Sequence, residues 1–461
     1  VALNLHPNEL TKLRFQSSAY IADETEAFDI IGEYWLQEVE TDLGEDNFGE
    51  PVNLIGVGTF HDWARNNLES KVYTVEHKGT RIAEKHFWKW GLKFQREKIT
   101  DNLSEWVLLD SAGYNLPFSD TNINFQEVLK TDIGLSSNRY SAYIQDELNL
   151  DDNDMWKMNA GIRMHYWDVN EEVVVSPRLQ LSYAPQWERS DVVFRGAVGA
   201  YNQPPFYREL RNQDGDLNLS LLAQKSYQVV LGSDWNMLLW ERPFKLTTEV
   251  YYKYLYDLIP YDLENIRIQY FGENKSDGYA AGLDMRLFGE FVPGTDSWIS
   301  LSLLKTEEDI DGDSYIDTLG NVIDIGSVAR PTDQRLNVGM FFQDYLRRNE
   351  NFKVYLNFLY GTGLPFSPPN NEQFRNALRI PDYRRVDIGF SAQLFDKEKH
   401  LNRKGFIGGF ENIWASLEVF NLLGVSNTIA YTWVNDTNNT TYAVPQRLTD
   451  RRPNFKLIAK F

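Results

Sequence analysis

The stretch best suited to chemistry is Asp309-Ile310-Asp311-Gly312-Asp313-Ser314-Tyr315-Ile316-Asp317, with carboxylates at relative positions one, three, five and nine. Hard oxygen ligands at such spacing converge on Ca²⁺ in calcium-binding loops. The bidentate Glu required at position twelve is replaced by Gly320. A solvated acidic loop tip is therefore the preferred reading of Asp309, Asp311, Asp313 and Asp317, and a loop-bound Ca²⁺ is the one cofactor to weigh against it. A second group combines ring faces with guanidinium: Tyr201, Phe206, Tyr207 and Arg208 lie close together around a Pro-Pro turn, with Arg178 and Arg195 on neighbouring segments. Such residues stack on and hydrogen-bond to a ligand without transforming it.

Groups for catalysis are missing from the pattern. The chain has no Cys, and its six His form neither an HExxH array nor a close pair with metal-ligand spacing. Walker, GxGxxG and GxSxG sequences are absent. No enzymatic activity is expected. A net charge of −20 argues against nucleic acid, whose phosphates need clustered Lys and Arg.

The elements that must position these residues have a period of two. Ala160, Ile162, Met164 and Tyr166 oppose Asn159, Gly161, Arg163 and His165; Leu283, Met285 and Leu287 oppose Asp284 and Arg286; Val354, Leu356, Phe358 and Tyr360 oppose Lys353, Tyr355 and Asn357. Aromatics are 14% of the chain, yet mean hydropathy is negative. A transmembrane β-barrel gives that combination, because only alternate side chains meet lipid and aromatic belts mark both interfaces. We count about 18 strands, near Leu13, Ile30, Phe60, Phe87, Trp106, Tyr143, Ile162, Leu181, Val198, Val229, Val250, Leu283, Leu301, Val338, Leu356, Ile388, Leu417 and Leu457. Turns at 151–154, 185–189 and 347–350 are short, while the connections over 113–136, 203–222, 306–333, 362–381 and 425–451 are long. Short turns on one rim and long loops on the other are the habit of outer-membrane barrels. By alternation Arg163, Arg178, Arg195, Asp284, Arg286, Arg385 and Asp387 face the lumen, and Trp88, Trp90, Trp156, Trp167 and Trp235 are expected in the interfacial belt. The fold class is all-β, an antiparallel up-and-down transmembrane barrel over residues 1–461.

The chain closes on Asn454-Phe455-Lys456-Leu457-Ile458-Ala459-Lys460-Phe461, an alternating strand with a terminal aromatic. It resembles the segment by which outer-membrane proteins are recognised for insertion, with Phe455, Leu457 and Phe461 as its apolar face. With Tyr360-Gly361-Thr362-Gly363-Leu364-Pro365-Phe366, Arg379-Ile380-Pro381-Asp382-Tyr383-Arg384-Arg385-Val386-Asp387 and Glu418-Val419-Phe420-Asn421-Leu422-Leu423, the C-terminal third resembles TonB-dependent outer-membrane receptors of the Bacteroidetes type. Tyr140–Glu147 and Gln203–Glu209 match the middle of the same barrels.

The resemblance implies a 22-stranded barrel filled by a plug. The plug and about four strands are then expected outside this sequence, since unpaired edges are not viable in lipid. It also implies import of a scarce nutrient (siderophore, glycan, cobalamin or peptide) in the bacterial outer membrane. The expected partners are the surrounding lipid and lipopolysaccharide, the TonB complex acting through the plug, and a surface lipoprotein lid or larger outer-membrane assembly. Two alternatives stand beside it: a barrel recruited as a structural subunit of a larger complex, and a passive porin of about 18 strands.

Overall fold

The computed structural model describes residues 1–461 except 112–113, 116–124, 126, 189, 265–266, 347–348, 370, 398–408 and 436–439. Arg189, and Arg347 and Arg348 of another expected turn, lie outside the described residues. One sheet holds twenty strands. Setting aside the three short segments Tyr114–Asn115, Gln186–Trp187 and Val328–Ala329 leaves a meander of seventeen. In chain order these are β1 (Ala2–Asn8), β2 (Thr11–Val39), β3 (Pro51–Ala83), β4 (His86–Ser111), β5 (Glu127–Asn149) and β6 (Trp156–Trp167). Then follow β7 (Glu172–Tyr183), β8 (Ser190–Gln203), β9 (Gln224–Leu239), β10 (Arg242–Leu258), β11 (Ser276–Val292) and β12 (Thr295–Ile310). The last are β13 (Leu336–Tyr345), β14 (Phe352–Gly361), β15 (Tyr383–Asp396), β16 (Asn412–Phe420) and β17 (Arg452–Lys460). Each pairs antiparallel with the next, as expected of an up-and-down wall.

The difference from the expected strand count has a simple origin. Leu13 and Ile30 lie on one strand, β2, and Phe87 and Trp106 on another, β4. A crossing of the hydrocarbon needs only about 9–11 residues, so strands of 29 and 26 residues read as two each. The opening strand β1 went uncounted. β1 and β17 are the sheet's edges, and neither has a second neighbour among the described residues. Because the meander is odd in number, these edges run in the same direction.

Register confirms which face meets lipid. Leu181, Gly196, Leu231, Val250, Leu283, Leu303 and Leu336 form one row across β7–β13. Leu231 on that row is 63% exposed and Val250 51%. An apolar row bared on a continuous sheet matches a hydrocarbon-facing wall and not a soluble core. Phe455 and Leu457 share the outward face of β17, and Phe461 follows its last residue. Tight turns mark one rim, as at Trp240 and Glu241, which both take positive φ (53° and 63°), the geometry of a two-residue hairpin that follows sheet twist. The other rim carries the long connections, and we take it as external.

The wall curls. Loops leaving β8, β10 and β16 fold back over the inner face of β2–β6, and the two principal clusters of buried apolar side chains form there.

Candidate ligand-binding mouth

The expected ligand loop occupies the external mouth. Pro204 and Pro205 turn the chain inward after β8, and a single helical turn, α1 (Tyr207–Leu210), follows. Glu209 closes this turn by accepting from the Phe206 amide at 3.0 Å and from Gln224 Nε2 at 2.8 Å. Tyr207, Leu210, Leu221 and Ile259 then pack against Ile133, Leu135 and Trp167 of the inner wall. Gly215 turns the loop where φ is +89°, and an added Cβ would lie 2.2 Å from Thr131 Cγ2, so only glycine seats here without displacing β5.

Polar bonds lock the same contact. Asp101 on β4 accepts from Tyr207 Oη at 2.7 Å and from Arg211 Nη1 at 2.8 Å. Arg139 donates to the Pro205 carbonyl at 2.6 Å and to Glu97 at 3.1 Å, with its guanidinium 4.1 Å over the Trp167 ring. Burial and the Asp101 carboxylate both push the Tyr207 phenol upward. Burial pushes the Glu209 carboxyl up to about 7, against the two bonds that favour its anion.

The six expected ligand residues therefore divide. Tyr207 is buried and anchors the loop. Phe206 and Arg208 remain exposed beside it, Phe206 edge-on to Tyr270 at 6.0 Å. Arg178 stacks 4.3 Å over Tyr201 on the lumen wall, and Arg195 is held by Asp234 at 2.7 Å, which occupies its charge. Further inward cations repeat the stacking: Arg163 over Tyr143, Arg286 over Trp298 and Lys353 over Trp414. Trp167 departs from expectation. It closes β6 on the inward side and is 1% exposed, a member of the mouth and not of the lipid belt.

Two further hairpins narrow the mouth. Residues Tyr261–Glu264 pair with Arg267–Tyr270, and Arg267 bridges Glu26 and Glu105 at 2.9 Å each. Residues Thr428–Asn435 pair with Thr441–Arg447, and Val434 packs on Tyr34, Leu36 and Leu109. The opposite face of that second hairpin presents Tyr431 and Trp433 to Phe366, with centroids 4.9 and 6.2 Å away. Sequence reading missed Asp101, Arg139, Glu209, Arg211 and Arg267. Asp101 and Arg139 were signalled only as charge at inward positions of strands longer than a membrane crossing, while Glu209, Arg211 and Arg267 lie in the connections, where alternation says nothing.

The C-terminal sequence segments that carried the resemblance act as staples of the external rim. Asp382 accepts from Tyr360 Oη at 2.7 Å and from the Gly363 amide at 3.1 Å. A Cβ on Gly363 would fall 1.6 Å from the Ile380 carbonyl. Arg379 donates to the Asp333 and Gly363 carbonyls and pairs with the fully buried Asp333 carboxylate. Asp387 accepts from Arg385 at 2.7 Å and from the Asn421 amide at 2.9 Å.

The acidic segment spans the end of β12 and the hairpin beyond it. Asp317 caps its own turn, accepting from the amides of Leu319 and Asn321 at 2.8 Å. Asp313 is withdrawn from solvent near Asp309 and Asp324, which together with burial raise its carboxyl. Among the described residues, no three His, Asp or Glu side chains gather as a metal would require.

The family model described as TonB dependent receptor-like, beta-barrel matches residues 35–422. No curated protein matches the sequence. Among solved structures, the chain is similar to the siderophore receptor PiuA from Acinetobacter baumannii, at 12% identity and a TM-score of 0.61, covering 99% of this chain and 63% of that one. It is similar also to the outer membrane transporter YddB from Escherichia coli, at 10% identity and a TM-score of 0.53, covering 100% and 74%. The RagAB peptide transporter gives 11% and 0.54, covering 92% and 57%. At these identities the likeness is one of fold, and the chain spans 57% to 74% of the lengths of those three.

Proposed function

The chain belongs to the TonB-dependent receptor β-barrel family of the bacterial outer membrane, and on that premise we propose that it forms the wall and mouth of a receptor importing a scarce nutrient. The observation that carries this reading is the inward-folded loop at 204–223. It leaves Phe206 and Arg208 exposed beside the lumen while Tyr207 and Arg211 fix it to the wall. Stacking and guanidinium groups so placed suit a ligand with planar or anionic parts, held and then released without chemistry. PiuA is named a siderophore receptor and RagAB a peptide transporter, and those are the ligand classes to try first.

The wall needs completion. An antiparallel barrel closes only with an even number of strands, and β1 and β17 run the same way. An odd number of further strands, five for a barrel of about 22, closes it in the working receptor. A plug filling the lumen supplies the TonB contact. The stacked cations Arg163, Arg286 and Lys353 are the wall residues available to that plug.

The test is growth of a strain lacking the gene on chelated iron supplied as siderophores, on peptides and on glycans as sole sources. Import predicts a defect on one of them that the intact gene repairs. Parity with the parent on every source overturns it. Single-channel conductance of the purified full-length protein separates the porin alternative, because a plugged receptor is nearly silent.

A further inference from the structure

The outer face of β3 and β4 changes character twice on its way up. Phe94, beside Tyr140, and Tyr73 on β3 close the lipid band. Above them the outward residues turn polar: Arg96, Lys98, Thr100, Asn102 and Ser104 on β4, with Lys71, Glu69, Asn67 and Arg65 on β3. Rings then return at Trp106 on β4 and Trp63 on β3, which are cross-strand partners. At about 3.3 Å per residue Trp106 stands about 40 Å along the strand from Phe94, and a tilt of about 40° makes that roughly 30 Å of height. This second aromatic patch is therefore no part of the interfacial belt.

The patch is ordered by its own contacts. Trp63 and Trp106 are nearly parallel (11°), with centroids 5.8 Å apart. His61 meets Trp106 edge-on at 4.6 Å, and Phe125 lies 4.9 Å from the same ring. On β2, Asp29 is paired with Trp63, Ile31 with His61 and Trp35 with Val57. Ile31 is 68% exposed and Trp35 60%. Polar groups are interleaved with these rings. Asp29 accepts from His61 Nε2 at 2.5 Å, and its other oxygen stands 4.0 Å from Arg65 Nη2. Arg65 is fixed in turn, donating to the Phe28 and Ala64 carbonyls at 2.7 Å with its guanidinium 5.0 Å from the centre of Trp63.

This composition selects the occupant. A protein interface is depleted of charge at its core, whereas here carboxylate, imidazole and guanidinium stand beside the indoles. Sugar rings require both kinds of group at once: a flat C–H face laid on an aromatic ring, and hydroxyls bonded by planar polar side chains. The exposed outward carboxylates of Asp29 and Glu33, in a chain of net charge −20, repel an anionic polymer.

We propose that the outer face of β2–β4 binds a neutral extracellular polysaccharide above the membrane. Its sugars stack on Trp106 and Trp63, and their hydroxyls bond to Asp29 and His61. Trp35 lies about 20 Å further along β2 than Asp29 and takes a later sugar of the same chain. These positions face away from the lumen, so the site tethers its ligand and has no part in passage. It stands whatever the receptor imports.

Oxidative footprinting of the indoles in the full-length protein, held in mild detergent, tests this. Hydroxyethylcellulose, a soluble neutral glucan, should slow oxidation of Trp35, Trp63 and Trp106 at least tenfold and leave Trp240, on the tight turn of the opposite rim, unchanged. Polygalacturonate, an anionic polymer, should slow it little. Neither arm requires a variant to fold. In gels cast with the glucan the parent should be retarded, and W63A/W106A of parental heat-modifiable mobility should lose at least tenfold in affinity, while W240A matches the parent. Unchanged oxidation with the glucan, equal protection by the two polymers, or equal retardation of parent and W63A/W106A overturns the proposal. Protection of the same indoles by a co-purifying protein, with none from the glucan, overturns it in favour of a protein interface.

Discussion

The phenol of Tyr207 donates to the carboxylate of Asp101 at 2.7 Å, joining an external loop to the inner face of β4 across 106 residues of sequence. Arg211 shares that carboxylate, so one inward acid on β4 holds both ends of the short helical turn. Tyr207→Phe should loosen the loop by about 1 kcal/mol and Asp101→Ala by about 3, since the latter strands a buried phenol and leaves the half-buried Arg211 without its carboxylate. Limited proteolysis over 204–223 reads this directly. Cleavage should quicken modestly in the first variant and strongly in the second, and equal rates would refute the shared anchor.

Loop docking should depend on pH through Glu209. Burial raises its carboxyl to about 7 in the docked state, above its ordinary 4.5. The docked form therefore binds the proton more tightly than the released loop. Docking is firmest below about pH 4.5, and that advantage is lost as pH rises through 7. Hydrogen exchange at 207–221, corrected for intrinsic rates, should be severalfold faster at pH 8 than at pH 5.5. Glu209→Gln should flatten the difference.

Leu231 and Gln228 sit on opposite faces of β9. Leu231→Arg places a guanidinium in hydrocarbon at a cost of about 2–4 kcal/mol near the midplane. Gln228→Arg adds the same charge to a watery interior. Folded yield in the outer membrane, scored by heat-modifiable gel mobility, should fall about tenfold for the first and little for the second. Similar yields would contradict the lipid-facing assignment of that row.

Arg267 holds its hairpin through two exposed ion pairs, each worth no more than about 1 kcal/mol. The contact should weaken with ionic strength. Exchange protection of residues 267–270 should drop between low and high salt in the parent, and Arg267→Glu should lack protection at either. Salt-independent protection would mean that packing holds the hairpin and the charges do not.

The wall was legible in the sequence because alternation is imposed by a solvent on each face. Ile162 and Met164, or Leu283 and Met285, could stand nowhere else on a strand with lipid beyond it. Strand length was less legible. Between Leu13 and Ile30 the outward positions run Phe15, Ser17, Ala19, Ile21, Asp23, Thr25 and Ala27, small and polar residues breaking the apolar series so that it reads like a turn although the ladder of β2 with β3 continues. The mouth was legible only in part. Phe206 and Tyr207 are adjacent, of similar size and in one motif, yet one is exposed and the other buried, a choice made by Asp101 far away in sequence. Trp167 has the composition of a belt residue and the position of a mouth residue. Its direction follows from the parity of β6, which the count of tryptophans ignored.

The strands β2–β5 climb far above those that follow. At about 3.3 Å per residue, the 33 residues of β3 extend roughly 110 Å along the strand, against about 40 Å for the 12 residues of β7. The rim is thus lopsided, a parapet that drops beside β5 to a low sill at the turn 168–171. The inward hairpins lean their weight on the parapet, through Glu26, Glu105, Tyr34 and Leu36. The sill is where the 204–223 loop is tied down, Asn170 donating to the Leu221 carbonyl at 2.7 Å and Glu172 accepting from the Ala223 amide at 2.7 Å.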